Sequence, residues 1–146
     1  MIAAFVGVTV ANAQNLTSAQ VKQMLDEKHF SFEPITMIPQ SGATKQLTPG
    51  FSLKISGDSL NCYLPYFGQA YSASIGTNDA GFNFTSNQFD YSVVPKKKDS
   101  YRITIKVNNK TSNPIFNITV YDNGTAYVQA NSNDKQTISY NGYLKQ

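Results

Sequence analysis

Apolar side chains recur at every second position in the C-terminal part of this chain, and this period restricts the fold more than any other feature. In segment 101–107 every odd-numbered residue is apolar or aromatic, and every even-numbered residue is polar. Segments 116–120 and 126–130 continue this alternation. Because successive side chains of a β-strand point to opposite faces, the period predicts strands with one face in a core and the other in water.

Turn-forming residues separate these segments. Asp122-Asn123-Gly124 contains residues that tolerate positive φ, so it predicts a tight hairpin between the last two segments and a three-stranded meander overall. Pro49-Gly50 and Gly57-Asp58 are turn signals that divide the preceding part of the chain. The further predicted strands cover residues 30–38, 51–55, 60–67, 71–75, 82–85, 89–94 and 138–144.

Together these segments predict a mainly β domain of about eight to ten short strands. Their number and spacing suit an antiparallel sandwich or a closed barrel, and the periodicity leaves both open. A chain of this length is expected to bury one core. Residues 14–146 are therefore predicted to form a single domain.

One short helix is predicted before the strands. Thr17 and Gln20 have the spacing of a capping box, and Leu16 and Val21 occupy the two positions of a hydrophobic staple. We expect the helix to end near residues 28–29. Its apolar stripe, at helical spacings of three and four, consists of Val21, Met24 and Leu25.

The first thirteen residues are apolar and close on Ala11-Asn12-Ala13, a pattern typical of the end of a secretory signal peptide. The apolar run from Ile2 to Val10 is too short for a membrane-spanning helix, which needs about 20 residues. We therefore interpret residues 1–13 as a signal peptide remnant and expect the mature protein to begin at Gln14, in the periplasm, at the cell surface or secreted. A buried N-terminal strand is the alternative for the same residues.

The residue inventory disfavours several kinds of partner. Cys62 is the only cysteine and His29 the only histidine, so neither an internal disulfide nor a Cys/His zinc site can form, and we predict no metal and no cofactor. The net charge is +3, and only Lys96-Lys97-Lys98 concentrates it. Nucleic acid is not expected as a partner, because Arg102 is the only arginine and no wide basic face is evident.

Catalysis is also not expected. The chain has no Gly-x-Ser-x-Gly motif, and a single histidine would have to act as the base for any serine nucleophile. Nearly all of its acidic residues lie beside turns, where aspartate caps the backbone. The alternative is a small hydrolase that cleaves glycans with two carboxylates. The candidate acids for that reaction are Glu33, Asp58, Asp90 and Asp122.

The densest aromatic cluster lies in residues 63–71, where Pro65 cannot donate a hydrogen bond to a sheet ladder. Tyrosine offers a large rigid contact area with a polar tip, so this segment indicates a ligand-binding surface. The alternative is a corner of the fold whose side chains fill the core. The predicted binding residues are Tyr63, Tyr66, Phe67 and Tyr71.

Several short motifs resemble a family of exported Bacteroidetes proteins, the domain of unknown function numbered 4251. The motifs are Leu64-Pro65-Tyr66-Phe67-Gly68, Ala70-Tyr71, Gly57-Asp58, Asn123-Gly124-Thr125-Ala126 and Ile138-Ser139-Tyr140-Asn141-Gly142. The resemblance extends from Phe30 to the C-terminus and implies a bacterial origin and export. It implies no activity, substrate or catalytic residue. We predict an exported, non-enzymatic β domain that binds a partner protein, an apolar ligand or a glycan.

Overall fold

The computed structural model describes residues 16–40, 43–66, 82–97, 99–108, 113–133 and 135–146. One helix, α1, spans Ser18–Asp26. The strands are β1 His29–Pro39, β2 Lys45–Gln46, β3 Ser52–Ser56, β4 Ser59–Leu64, β5 Phe82–Ser86, β6 Phe89–Lys96, β7 Ser100–Val107, β8 Ile115–Tyr121, β9 Thr125–Ser132 and β10 Lys135–Lys145. The predicted mainly β fold with one short N-terminal helix is confirmed. The predicted strand 71–75 and the signal segment 1–13 lie outside the described residues.

Among the described residues, nine strands form one antiparallel sheet in the order β5-β4-β3-β1-β10-β9-β8-β7-β6, and β2 pairs separately with β1. The predicted meander is present as β7-β8-β9, with Ile103 opposite Ile118 and Ile118 opposite Val128. Its last hairpin turns through Gly124, whose φ of +95° suits glycine. The sheet curls into a half-barrel, an architecture within the sandwich or barrel class that the sequence predicts.

The curl follows from the way in which the chain passes from β5 to β6. An even number of antiparallel pairings separates these two edge strands, so they run in the same direction. Only Asn87 and Gln88 lie between them, and the Gln88 carbonyl continues the ladder by accepting from the Asn108 amide at 3.1 Å. The chain thus leaves one edge of the sheet and directly joins the other. That passage requires the end of β5 and the start of β6 to lie close together.

Side chains from every strand except β2 and β6 fill the inner face of the half-barrel with fully buried residues. Phe116 lies at the centre of a ring cluster, with centroids 5.5 Å from Phe82 and 6.4 Å from Phe84. The Tyr140 hydroxyl donates to the Pro65 carbonyl at 2.6 Å. Cys62 is buried as a free thiol, and burial raises its pKa well above the ordinary value, so it stays protonated and unreactive.

The helix has the predicted N-terminus. Thr17 and Gln20 form the reciprocal capping box, and the apolar stripe of the helix is buried. Its C-terminus lies at Asp26, two to three residues earlier than expected, because Lys28 takes a left-handed conformation with a φ of +53°. The Lys28 carbonyl accepts from the Gly57 amide at 2.8 Å, which holds the end of the helix against the β3–β4 turn. No helix in the described ranges is long and apolar enough to cross a membrane.

Candidate functional site

Ile35 points away from the core at a bulge in β1, in the same outward phase as Ser31 and Glu33. β1 pairs with β10 through Pro34 opposite Gly142 and then Thr36 opposite Asn141, so Ile35 has no partner on β10. Such an extra residue kinks a strand and shifts its alternation, and Met37, two residues later, is buried. Ile35 is 40% exposed on the outer face of the sheet. Its carbonyl accepts from the Leu47 amide at 2.8 Å, which fixes the bulge from the other side.

Gly142 is required opposite this bulge because the two backbones approach closely. A Cβ atom at position 142 would overlap the Glu33 carbonyl oxygen and lie 2.8 Å from the Cα atom of Pro34. These are backbone atoms, which cannot rotate away as a side chain can. The close approach therefore leaves no room for a side chain at position 142.

Two depressions on this outer surface share Ile35. The first has a volume of about 410 Å³ and crosses β1, β10 and β9 to the end of β8. Its outward side chains are Ile35, Thr36, Tyr121, Thr125, Tyr127 and Asn141. The second, of about 300 Å³, lies between β1 and the segment before β3. It is lined by Glu33, Pro34, Ile35, Leu47, Pro49, Gly50, Phe51 and Tyr143.

An aromatic pair extends the second depression onto β4. The rings of Phe51 and Tyr63 lie 5.1 Å apart, and Tyr63 is 48% exposed. A row of apolar and aromatic side chains thus crosses the outer face from β4 to β8. We call this row the outer aromatic stripe, and it consists of Tyr63, Phe51, Tyr143, Ile35, Tyr127 and Tyr121.

The stripe carries little net charge. Glu33 is the one charged side chain among the described residues that line the two depressions. Its carboxylate lies 3.6 Å from the Lys145 ammonium and accepts a 3.1 Å hydrogen bond from the Tyr143 hydroxyl. Desolvation raises the pKa of Tyr143, and the hydrogen bond and charge of Glu33 raise it further, so the phenol stays neutral. The stripe is accordingly a neutral surface with one internally paired acid.

The structure separates the residues that the sequence predicts as a binding surface. Tyr63 points outward from β4 and belongs to the stripe, whereas Tyr66 is only 8% exposed and lies in the core. The Tyr66 hydroxyl donates to the Gln136 carbonyl at 3.1 Å, and its ring meets the Phe82 ring edge-on at 6.3 Å. The predicted strand 60–67 ends at Leu64, but the alternation of burial continues beyond it, because Tyr66 is buried like Cys62 and Leu64. Phe67 and Tyr71 lie outside the described residues.

Paired substitutions of Tyr63 and Tyr66 test this separation. We expect Tyr66→Ala to lower the free energy of unfolding by about 3 kcal/mol, because it removes a buried ring and its hydrogen bond. Tyr63→Ala, which truncates a half-exposed ring on the outer face, should cost less than about 1 kcal/mol. Urea titrations of both variants measure the difference. Equal losses of stability would contradict the opposite placements of these two side chains.

The acidic residues considered for glycan hydrolysis lie on different parts of the fold. Glu33 is in β1 and is paired as described above. Asp58 lies in the β3–β4 turn and Asp122 in the β8–β9 turn, while Asp90 faces Lys106 across the β6–β7 pair. Within the ranges that the structure describes, no three His, Cys, Asp or Glu side chains are grouped so as to hold a metal ion.

Most of the stripe was missed by sequence reasoning, although part of it had a readable signal. Tyr127 alternates with the buried residues Ala126 and Val128, so its outward direction follows from the period of two. Tyr143 precedes the buried Leu144 in the same way. Tyrosines at water-facing strand positions are a usable indication of a contact surface. Ile35 also had an alternation signal, because it continues the outward, odd-numbered phase of a strand in which Phe32 and Pro34 are buried.

Fold and site together define a small antiparallel half-barrel with a filled inner face and an aromatic outer face. The family model described as "Domain of unknown function (DUF4251)" matches residues 12–144, and the chain therefore belongs to this family, as its motifs predict. It is similar to the crystal structure of a DUF4251 family protein from Bacteroides eggerthii DSM 20697, with a TM-score of 0.64 and 14% identity. The similarity covers 88% of this chain and 86% of that one, and it supports the fold. No curated protein matches the chain.

Proposed function

We propose that this protein is an exported, non-catalytic binding domain of the bacterial cell envelope, and that the outer aromatic stripe is its binding surface. One observation carries the proposal: large apolar side chains are exposed on the outer face of the sheet, which does not pack against the core. Ile35, Tyr63 and Tyr121 are 40%, 48% and 46% exposed, although the inner face holds ample buried apolar surface. Contiguous apolar surface with a polar rim is typical of interaction sites.

Export is supported by the signal-like residues 1–13. We expect mass spectrometry of fractionated Bacteroides cells that produce the full chain to find a mature protein beginning at Gln14 outside the cytoplasm. An intact Met1 terminus recovered from the cytoplasm would contradict the export part of the proposal and leave the binding surface to be judged separately.

A glycan hydrolase is the second candidate, because Glu33 lies in the second depression. Its carboxylate is engaged by Lys145 and Tyr143, and the other candidate acids are on different turns and strands. General acid catalysis also requires a partner carboxylate across the scissile bond. We therefore expect the protein to release no chromophore from aryl glycosides. Turnover that disappears in Glu33→Gln with the fold intact would instead support the hydrolase.

Binding can be tested with a matched pair of substitutions. Ile35 lies at the centre of the stripe, whereas Val94 is a β-branched residue of similar exposure, 47%, on β6. We expect the purified protein to co-sediment with the insoluble envelope fraction of Bacteroides cells, and Ile35→Ser to weaken this binding at least tenfold, because central contacts carry most binding energy. Val94→Ser should bind as the parent does. Equal binding by all three proteins would refute the role of the stripe.

A further inference from the structure

We infer that the ligand of the outer aromatic stripe is a neutral polysaccharide chain that lies across the strands. This inference rests on the proposed function and names the class of ligand for the same surface. A sugar ring presents an apolar C–H face and a rim of hydroxyl groups. A surface that recognises it needs flat apolar platforms beside neutral hydrogen-bonding side chains.

The first depression supplies both the flat apolar platforms and the neutral hydrogen-bonding side chains. The exposed ring of Tyr121 and the half-buried ring of Tyr127 are the flat platforms. Thr36, Thr125 and Asn141 line the same depression with hydroxyl and amide groups. Thr36 and Asn141 can donate and accept hydrogen bonds without carrying charge, as sugar hydroxyls require. The Thr125 hydroxyl donates to the Asn123 side chain at 2.8 Å and keeps its capacity to accept.

The shape of the stripe favours a chain over a compact ligand. The stripe runs from β4 through β3, β1, β10 and β9 to β8, which are consecutive neighbours in the sheet. At about 4.8 Å between neighbouring strands, this path is about 24 Å long, enough for several sugar units in a row. Both depressions open on the outer face, whereas a small apolar ligand is usually enclosed.

The position of the stripe argues against an extended peptide. Peptides commonly bind sheets by adding a strand to a free edge. The centre of the stripe lies on β1 and β10, whose backbones are already paired on both sides. A ligand here must be recognised through side chains, and those side chains are aromatic, hydroxyl and amide groups.

Charge distinguishes a neutral polymer from an acidic or basic one. Glu33 is balanced by Lys145 at 3.6 Å, so the stripe offers no unpaired ionic group to a uronate, a phosphate or an amine among its described lining residues. Binding to a neutral chain should therefore be almost independent of ionic strength, because salt screens only interactions between charges.

The test treats the Bacteroides envelope fraction chemically before the co-sedimentation assay. Periodate cleaves the vicinal diols of sugars, and proteinase K removes protein. We expect periodate to reduce Ile35-dependent binding at least tenfold and proteinase K to leave it unchanged. Binding in 0.5 M NaCl should stay within about twofold of binding at low salt. Tyr121→Ala should reproduce the loss seen with Ile35→Ser, and Val94→Ala should not.

The outcomes separate the two proposals. Binding that depends on Ile35 but resists periodate and is lost after proteinase K would overturn the polysaccharide and keep the stripe as a surface for a protein partner. Binding that falls tenfold in 0.5 M NaCl would overturn the neutral character of the ligand. Binding that does not depend on Ile35 at all would overturn the proposed function itself.

Discussion

Gly142→Ala is expected to destabilise the protein by about 3 kcal/mol or more, which is a large part of a domain's stability. The added methyl group would meet the Glu33 carbonyl and the Pro34 Cα atom, and neither can move without breaking the β1–β10 ladder. Chemical denaturation with circular dichroism detection measures this loss.

Gly57→Ala is the matched control for Gly142→Ala. Gly57 lies in the β3–β4 turn with a φ of +62°, and an added Cβ atom there meets no atom within 4 Å. Alanine at that position carries only the backbone cost of a left-handed residue, about 1 kcal/mol. Similar losses for the two variants would show that close backbone approach is not what requires glycine at position 142.

Phe116→Ala is expected to cost about 3–5 kcal/mol, as truncation of a fully buried phenylalanine does. Phe116 belongs to β8, and its ring contacts Phe82 and Phe84 of β5 across the interior of the half-barrel. The substitution therefore leaves a cavity where two distant parts of the sheet meet. Thermal and urea unfolding of the variant measure the effect.

Phe84→Ala provides the comparison within the same ring cluster. Phe84 is only half-buried, so its truncation leaves less unfilled volume and should cost about half as much as Phe116→Ala. A conservative Phe116→Leu substitution should cost about 1.5 kcal/mol or less, since most of the volume is kept. A cost for Phe116→Ala below that of Phe84→Ala would contradict the central position of Phe116.

The local elements were predictable because their causes are local. The capping box needs only Thr17 and Gln20 three residues apart, and the meander needs only alternation with a turn at Gly124. The helix ended early because Lys28 meets the β3–β4 turn, a contact with a distant segment. β4 ends at Leu64, directly before Pro65, which cannot donate to a sheet ladder, and the inward Tyr66 reaches the Gln136 carbonyl of β10.

The candidate site was predicted only in part, for the same reason. Tyr63 could be named from its aromatic neighbourhood, and Tyr127 and Tyr143 could have been found from their alternation with buried residues. Ile35 could also have been found, since Phe30, Phe32 and Pro34 are buried and the odd-numbered positions of β1 up to Ile35 point outward. The bulge could not, because the return of Met37 to the core depends on which strand lies beside β1.

By itself, the sequence determined the class of the fold. A period of two predicts strands with one solvent-exposed face, and a capped amphipathic segment predicts one helix. It also implied a family, which the match over residues 12–144 confirms. Only the tertiary structure decided that the sheet is a half-barrel, that the bulge beside Ile35 returns Met37 to the core, and that six side chains from separate segments form one stripe. Periodicity reports the environment of each residue along the chain, whereas strand order and register arise from pairing between residues far apart in sequence.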